Sequence, residues 1–143
     1  MEQVLLFRIG EQPYGLEVAN LQEIVETPPL FFIPMAPPCF SGAMNFHGQI
    51  LPVLDLPGFL GQNDGRRDRR VIVLAAHLCA MAFTTTSVQR IVSLDADAMT
   101  PYQSMGDSNE LIRCRFDREG EMINILDAAG LVAGLERFSQ RRK

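Results

Sequence analysis

The two histidines and three cysteines of this 143-residue sequence are its first candidates for a general base, a nucleophile or a metal ligand. His77 and Cys79 are two residues apart, so on a strand both would face the same side, as a cysteine nucleophile and its base require. A cysteine in a hydrophobic strand is more often an inert core residue, and we favour that interpretation. Neither His77 nor His47 belongs to an HExxH, CxxC or aspartate-rich pattern. The sequence therefore predicts no catalytic residue, no metal site and no cofactor.

Asp55 and Asp127 look like paired carboxylates because each follows an apolar strand pattern and the two segments resemble each other. Each also stands directly before a predicted helix, where an aspartate side chain accepts hydrogen bonds from the free N–H groups of the first turn. We therefore interpret both as helix N-caps and not as an acid and a base.

The two aspartates belong to an internal repeat. Segments recur at two offsets: Gly48 and Asp55 as Gly120 and Asp127 after 72 residues, and 4–7 and 21–25 as 71–74 and 88–92 after 67 residues. Repeated short strands with glycine turns are typical of small β-barrels. We therefore expect residues 1–143 to form a single domain of two barrel-like halves that divide near residues 62–70, with 4–7 and 71–74 in equivalent places.

The remaining elements are predicted from hydrophobic patterns. Short apolar runs predict hairpins within 3–18, 42–54, 71–85 and 111–126, and the second of these reverses at Gly48. Residues 19–25 fit either a short helix or an extended continuation of the preceding strand. A C-terminal helix is predicted after Asp127.

Two segments are open to two interpretations each. Residues 27–38 hold five of the nine prolines together with Phe31, Phe32 and Ile33, which excludes a regular helix or a central strand. This segment either packs on the body as a lid over the core, which we favour, or offers an apolar surface. The arginine cluster at 66–70 is interpreted as a solvated loop in preference to a site for phosphate or an acidic partner.

Composition excludes several classes of protein. The net charge of −4 and the isoelectric point near 5.1 argue against nucleic-acid binding. Cys39, Cys79 and Cys114 have no CxxC spacing, which is typical of reduced thiols in the cytosol. The apolar run at 4–7 is too short for a signal peptide, and no stretch approaches the roughly 18 apolar residues of a membrane span. We expect a cytoplasmic protein without membrane insertion.

The chain resembles the CheW-like family, the adaptor domain of bacterial chemotaxis, over nearly its whole length. The resemblance rests on a first strand and a hairpin with Tyr14-Gly15, on Glu23-Ile24, on Ile33-Pro34 and Ala36-Pro37 before the central hairpin, and on a signature formed by Gly42 to Gly48, Pro52-Val53 and Asp55-Leu56. It implies a mainly β fold of two packed SH3-like barrels with short helices and a C-terminal helix. It also implies no enzymatic activity.

The resemblance implies two partners, a CheA-type histidine kinase and the tip of a methyl-accepting chemoreceptor. The family's receptor-facing region includes the signature hairpin. The resemblance therefore implies the following partner-binding residues: Glu23, Gly42, Asn45, His47 and Gly48. We expect Glu23, Gly42, Asn45 and His47 to border one surface, with Phe46 filling the core beneath, because successive side chains of a strand alternate between its faces.

The sequence departs from the family pattern at two places. His47 stands where the signature has an arginine, and residues 85–88 replace a Val-Asp-x-Val pattern, with Arg90 where an acidic residue is common. An arginine holds a carboxylate at any pH, whereas a mostly neutral histidine does not. The alternatives are therefore an adaptor for a non-chemotaxis signalling complex, or a small-ligand sensor or enzyme that uses His47, His77 or Cys79 in a cleft.

Overall fold

The computed structural model describes residues 2–34, 36–62, 65–101 and 111–141. The strands are β1 (Glu2–Ile9), β2 (Gln12–Glu17), β3 (Leu21–Glu26), β4 (Phe40–Phe46), β5 (Gln49–Leu54), β6 (Arg70–Leu74), β7 (Ala82–Phe83), β8 (Ser87–Leu94), β9 (Thr100–Pro101), β10 (Ile112–Arg118) and β11 (Glu121–Leu126). The helices are α1 (Leu56–Phe59) and α2 (Ala128–Arg141), with 3₁₀ turns at Val18–Asn20 and Ala96–Ala98. The predicted hairpins and C-terminal helix are present. Residues 19–25 belong mostly to β3, so the extended alternative is correct.

The strands form two sheets with matching orders, which explains the sequence repeat. One sheet runs β8-β1-β2-β11-β10-β9 and the other runs β3-β6-β7-β5-β4. The first five strands of one order are the repeat counterparts of the five strands of the other. Both sheets also contain one parallel contact at the same place, β2 with β11 and β7 with β5. The predicted equivalence of residues 4–7 and 71–74 is confirmed, because β1 and β6 are each second in their sheet.

Each sheet takes strands from both parts of the sequence. The six-stranded sheet combines β1 and β2 with β8 to β11, while the five-stranded sheet combines β3, β4 and β5 with β6 and β7. The chain therefore crosses between the sheets after β2 and again after β7. Residues 62–70, of which Asn63 and Asp64 lie outside the described residues, divide the sequence repeat, and both sheets draw strands from either side of them.

Alternate side chains of the equivalent strands enter different cores. Val4 and Leu6 of β1 belong to a cluster inside the six-stranded sheet, and Val71 and Val73 of β6 belong to one inside the five-stranded sheet. The intervening residues meet in a third cluster that joins the two sheets and α2, formed by Leu5, Phe7, Leu54, Ile72, Leu74, Phe83, Leu126 and Leu131 among others. Successive side chains of β1 and β6 point to opposite faces of the sheet, and both faces of each strand are buried.

The arginine-rich segment before β6 is held by the chain's own acidic groups. Arg66 pairs with Glu11 at 2.9 Å. The Asp68 carboxylate accepts hydrogen bonds from the N–H groups of Arg70 at 2.9 Å and Val88 at 2.7 Å, so it ties the segment to β8. Gly65, Arg66, Arg69 and Arg70 are exposed, as expected for a solvated loop, and the segment is in addition tied to the rest of the chain.

Candidate functional site

The signature hairpin ends in a tight turn whose conformation is set by three residues. His47 and Gly48 both have positive φ, 50° and 85°, which is the pattern of a two-residue type I′ turn. The Asn45 side-chain oxygen accepts a hydrogen bond from the Gly48 N–H at 2.9 Å and fixes the reversal. The repeat counterpart, Glu119-Gly120, has nearly the same φ values of 53° and 84°. The predicted reversal at Gly48 is confirmed.

The turn carries the His47 side chain over to strand β3. His47 Nε2 lies 3.6 Å from Oε1 of Glu23, and the imidazole is 71% exposed. The same ring rests on Phe46, with ring centroids 4.3 Å apart. Phe46 itself is buried in the core of the five-stranded sheet, as predicted. Glu23, Asn45 and His47 therefore lie together at one end of this sheet, and all three are exposed.

A shallow cleft of about 280 Å³ opens beside these residues, between the two edge strands of the five-stranded sheet. Its lining comprises Glu23, Val25 and Glu26 from β3, Pro28, and Met44, Asn45, Phe46 and His47 from the signature hairpin. The rim is acidic on the β3 side and the floor is apolar. Neither His77 nor Cys79 lines this cleft, so the hypothesis of a site in which both meet His47 has no support there.

Gly42 has a different position from the other four candidate residues. It is buried, with φ near 147°, and a Cβ built at this position would lie 2.7 Å from the carbonyl oxygen of Phe31. Phe31 donates its N–H to the carbonyl of Ala43 at 2.7 Å and accepts the Ala43 N–H at 2.9 Å. Gly42 thus leaves room for the proline-rich segment to lie against β4, and it does not itself form exposed surface.

The prediction of a lid over the core was wrong for the proline-rich segment. Phe31 and Phe32 are 56% and 86% exposed, and Leu30 is also exposed. The backbone of Phe31 pairs with β4 while the side chains of Leu30, Phe31 and Phe32 are exposed, so the alternative of an apolar surface is the correct one.

Comparison with known proteins fits this geometry. A family model described as "CheW-like domain" matches residues 3–136. The chain belongs to the CheW-like family. Similar proteins include a probable chemotaxis protein CheW of Rhizobium etli, 25% identical over 105 residues that cover 73% of this chain and 62% of that protein. A chemotaxis protein CheW of Klebsiella aerogenes is 24% identical over 102 residues, 70% of this chain and 61% of its own length. The matched region thus spans less than two thirds of the length of these relatives.

Among solved structures, the scaffolding protein TtCheW of Thermoanaerobacter tengcongensis superposes with a TM-score of 0.78 at 21% sequence identity, covering 88% of each chain. The match confirms the predicted fold of this CheW-like chain, two SH3-like barrels packed together. Among the residues that the structure describes, neither α1 nor α2 has the length and hydrophobicity of a membrane-spanning helix. The same residues contain no group of three or more His, Cys, Asp or Glu side chains placed to hold a metal ion.

The two repeated aspartates of this CheW-like chain have different roles. Asp127 caps α2 as predicted, because its Oδ1 accepts the Gly130 N–H at 2.9 Å. Asp55 occupies the N-cap position of α1, and the Gly58 N–H lowers the pKa of its carboxyl group, but its side chain makes no capping hydrogen bond of good geometry. Pro57 offers no N–H in that short helix. The Asp55 carboxylate is held instead by Arg67, which lies 12 residues further along the chain.

Burial alone would raise the pKa of Asp55, but the hydrogen bonds and the positive charge around its carboxylate lower the pKa by more. Arg67 and Thr84 donate hydrogen bonds to the carboxylate, and the guanidinium charge adds to them, so the pKa lies below its usual range. In the six-stranded sheet, Arg113 of β10 pairs with Glu17 of β2, which is buried; this hydrogen bond and the charge of Glu17 raise the pKa of Arg113. No short sequence motif indicates either pair, because the partners lie far apart in the chain.

Proposed function

We propose that this CheW-like chain is a non-catalytic adaptor that couples a chemoreceptor to a CheA-type histidine kinase. The observation that carries the proposal is the shared position of Glu23, Asn45 and His47 at the rim of one cleft, in residues that match the family signature. An adaptor requires an exposed and largely preformed surface, because ordering a flexible one on binding weakens the complex.

The rim is preformed for a structural reason. The type I′ turn fixes His47 and Gly48, and the Asn45 side chain locks that turn. Glu23 lies on β3, which is paired along its length with β6. We propose that the helical tip of the receptor contacts Glu23, Asn45, His47 and Gly48, while Gly42 contributes indirectly by letting the proline-rich segment approach β4.

An adaptor that binds the receptor and the kinase simultaneously requires a second binding surface. We therefore propose that the kinase binds away from the His47 rim. We also propose that residues 1–143 act as one domain, because both sheets use strands from either side of residues 62–70. The scattered cysteines are consistent with a reducing compartment, so we propose the cytoplasm as the site of action.

Reconstitution tests the proposal. The purified chain is mixed with the cytoplasmic fragment of a chemoreceptor and the CheA-type kinase encoded in the same genome, and co-sedimentation and kinase autophosphorylation are measured. We expect a ternary complex and receptor-dependent kinase activity that require the chain. Glu23→Arg should remove the receptor from the complex, while Arg90→Ala, at the repeat-equivalent exposed position of β8, should have no effect.

Two results would overturn the proposal. If the chain binds neither protein, or binds the kinase but not the receptor in its unsubstituted form, the adaptor role in chemotaxis fails. In that case the alternative of an adaptor for a different signalling complex is tested by identifying the proteins that co-purify with the chain from native cells.

A further inference from the structure

An exposed apolar patch lies next to the candidate site. Six large hydrophobic side chains are exposed among the described residues, and four of them lie on the proline-rich segment or on β5. We call these four the apolar patch: Leu30, Phe31, Phe32 and Ile50. Exposed hydrophobic surface of this kind on a folded domain marks an interaction site more often than scattered single residues do.

Strand register places two members of the patch, Phe31 and Ile50, on one face of the hairpin. Phe31 is paired with Ala43, and Ala43 is paired with Pro52. Opposed residues of antiparallel strands project to the same side of a sheet, so these three side chains form one row. Asn45 and Ile50 are paired two residues further along and form the next row on that face. Phe31 and Ile50 therefore share a face with Asn45 of the candidate site, and Leu30 and Phe32 are the chain neighbours of Phe31.

The patch is presented rigidly. Thr27 donates both its N–H and its hydroxyl to the carbonyl of Arg69, each at 2.8 Å, which anchors the start of the segment. Pro28, Pro29 and Pro34 restrict the backbone on either side of the aromatic pair. The two hydrogen bonds between Phe31 and Ala43 fix its centre. Little conformational entropy remains to be lost when a partner binds, which favours affinity.

The charge distribution indicates what kind of surface fits. The sequence contains 30 charged residues, yet none of Asp, Glu, Lys or Arg occurs from Thr27 to Leu54. The patch therefore offers no electrostatic contact, and its complement is an uncharged apolar face. An added β-strand is excluded at the centre of β4, because Phe31 already occupies the edge N–H and C=O of Ala43. The partner must dock by side chains, as an amphipathic helix does.

We propose that the apolar patch docks the uncharged apolar face of a partner helix, with Phe31 and Phe32 as the main anchors. The inference rests on the proposed function, since it extends the receptor-facing surface from Asn45 and His47 across Ile50 to the proline-rich segment. The helix would lie over the outer face of the β4–β5 hairpin. Its polar side would meet Glu23 and His47 at one end.

The test compares serine substitutions at matched exposed positions. The probe is the cytoplasmic tip fragment of a chemoreceptor from the same genome, titrated into the full chain by calorimetry at several temperatures. The double variant Phe31→Ser, Phe32→Ser should bind about tenfold or more weakly, as loss of aromatic anchors does, and its heat-capacity change on binding should be less negative. Ile91→Ser and Met122→Ser are the controls, because these side chains are exposed on the other sheet.

The outcomes separate this inference from the proposed function. If Glu23→Arg abolishes binding while Phe31→Ser, Phe32→Ser leaves affinity and heat capacity unchanged, the patch does not dock the helix and only the further inference fails. If neither variant alters receptor binding, the proposed surface fails as well. If analytical ultracentrifugation shows a dimer of the unsubstituted chain that the double serine variant dissociates, the occupant is a second copy and the helix proposal is overturned.

Discussion

The Arg67 guanidinium holds the Asp55 carboxylate with two hydrogen bonds, Nε to Oδ1 at 2.6 Å and Nη2 to Oδ2 at 3.1 Å. Thr84 donates a third to Oδ1 at 2.9 Å. The pair joins the end of β5 to the segment that leads into β6. A charged, bidentate and partly buried arrangement of this kind is stronger than a surface ion pair.

Removal of Arg67 should destabilise the fold. Arg67→Ala leaves a partly buried carboxylate without its cation, and we expect the free energy of unfolding to fall by about 1–3 kcal/mol. Urea denaturation of the full chain at pH 7 measures the loss. Arg66→Ala is the matched control, because the Arg66–Glu11 pair is largely exposed and should change stability by less than about 0.5 kcal/mol. Equal effects of the two substitutions would contradict the prediction.

The fold should weaken in acid through Asp55 and Asp68. The pKa of Asp68 is also lowered: burial raises it, but the hydrogen bonds from Arg70 and from the backbone N–H of Val88 outweigh burial. A carboxyl with a lowered pKa in the folded state stabilises the fold fully above its unfolded-state pKa of about 4. This contribution is lost as pH falls through the lower folded-state values.

The measurement for this prediction is the free energy of unfolding between pH 7 and pH 3. The unsubstituted chain should lose stability below about pH 4, and Asp55→Asn and Asp68→Asn should be less stable at pH 7 with a shallower loss in acid. Asp117→Asn, at an exposed position of β10, serves as control. A steep acid loss that persists in the double Asp55, Asp68 variant would assign the effect to other carboxyls.

Leu54 and Leu126 test the repeat alignment. Both end a strand, both are essentially fully buried, and both belong to the cluster that joins the sheets. Leu54→Ala and Leu126→Ala should each cost about 2–5 kcal/mol of stability, as truncation in a packed core does. Ile50→Ala, on the same strand as Leu54 but exposed, should cost little. A loss below about 0.5 kcal/mol for either leucine would be the behaviour of a surface site and would contradict the alignment.

The local parts of the fold could be predicted from the sequence, and the long-range parts could not. The turn at Gly48 was predictable because a glycine with positive φ is a local requirement of the hairpin. Asp55 stands at the predicted N-cap position, but its hydrogen bonds to Arg67 and Thr84 could not be predicted, because these partners are 12 and 29 residues away. The repeat predicted equivalent strands, but it contains no signal that β1 and β2 join the sheet of the second half while β6 and β7 join the sheet of the first.

The same distinction applies to the candidate site. Glu23, Asn45 and His47 could be placed together through the family signature, and the structure brings them to one rim. Gly42 was predicted to border the surface, but it is covered by the carbonyl group of Phe31. The sequence does not show that Phe31 lies against Gly42. The exposure of Phe31 could not be predicted either, since an apolar segment in a loop fits a lid and a docking surface equally well.

Gly42 and Gly48 should respond differently to a side chain. At Gly48 an added Cβ would have no atom within 4 Å. Gly48→Ala should therefore lower the free energy of unfolding only by the left-handed backbone strain, about 1–2 kcal/mol. At Gly42 the Cβ also collides with the Phe31 carbonyl at 2.7 Å. Gly42→Ala should therefore cost more stability and displace the proline-rich segment, detected as faster hydrogen exchange of the Phe31 N–H. Equal costs, with Phe31 still protected, would show that the segment adjusts without strain.

The His47 position tests whether the family surface is used in this chain. His47 lies 3.6 Å from Glu23 at an exposed site, so the pair should contribute at most about 1 kcal/mol to stability. The effect on binding should be larger, because the imidazole occupies the centre of the proposed rim. We expect His47→Ala to weaken binding of the receptor tip fragment, measured by calorimetry. His47→Arg should retain binding, since an arginine fork can donate to the same partner groups.

Glu119→Ala is the control for His47→Ala. Glu119 occupies the same turn position in the other hairpin, with φ of 53° against 50°, so an alanine there experiences the same backbone strain without touching the rim. Weaker receptor binding in the His47 variant alone would therefore report a lost contact and not a distorted turn. If both variants bind as the unsubstituted chain does, the contact at His47 is absent, and Phe31 and Phe32 become the residues that decide whether the hairpin face binds a partner.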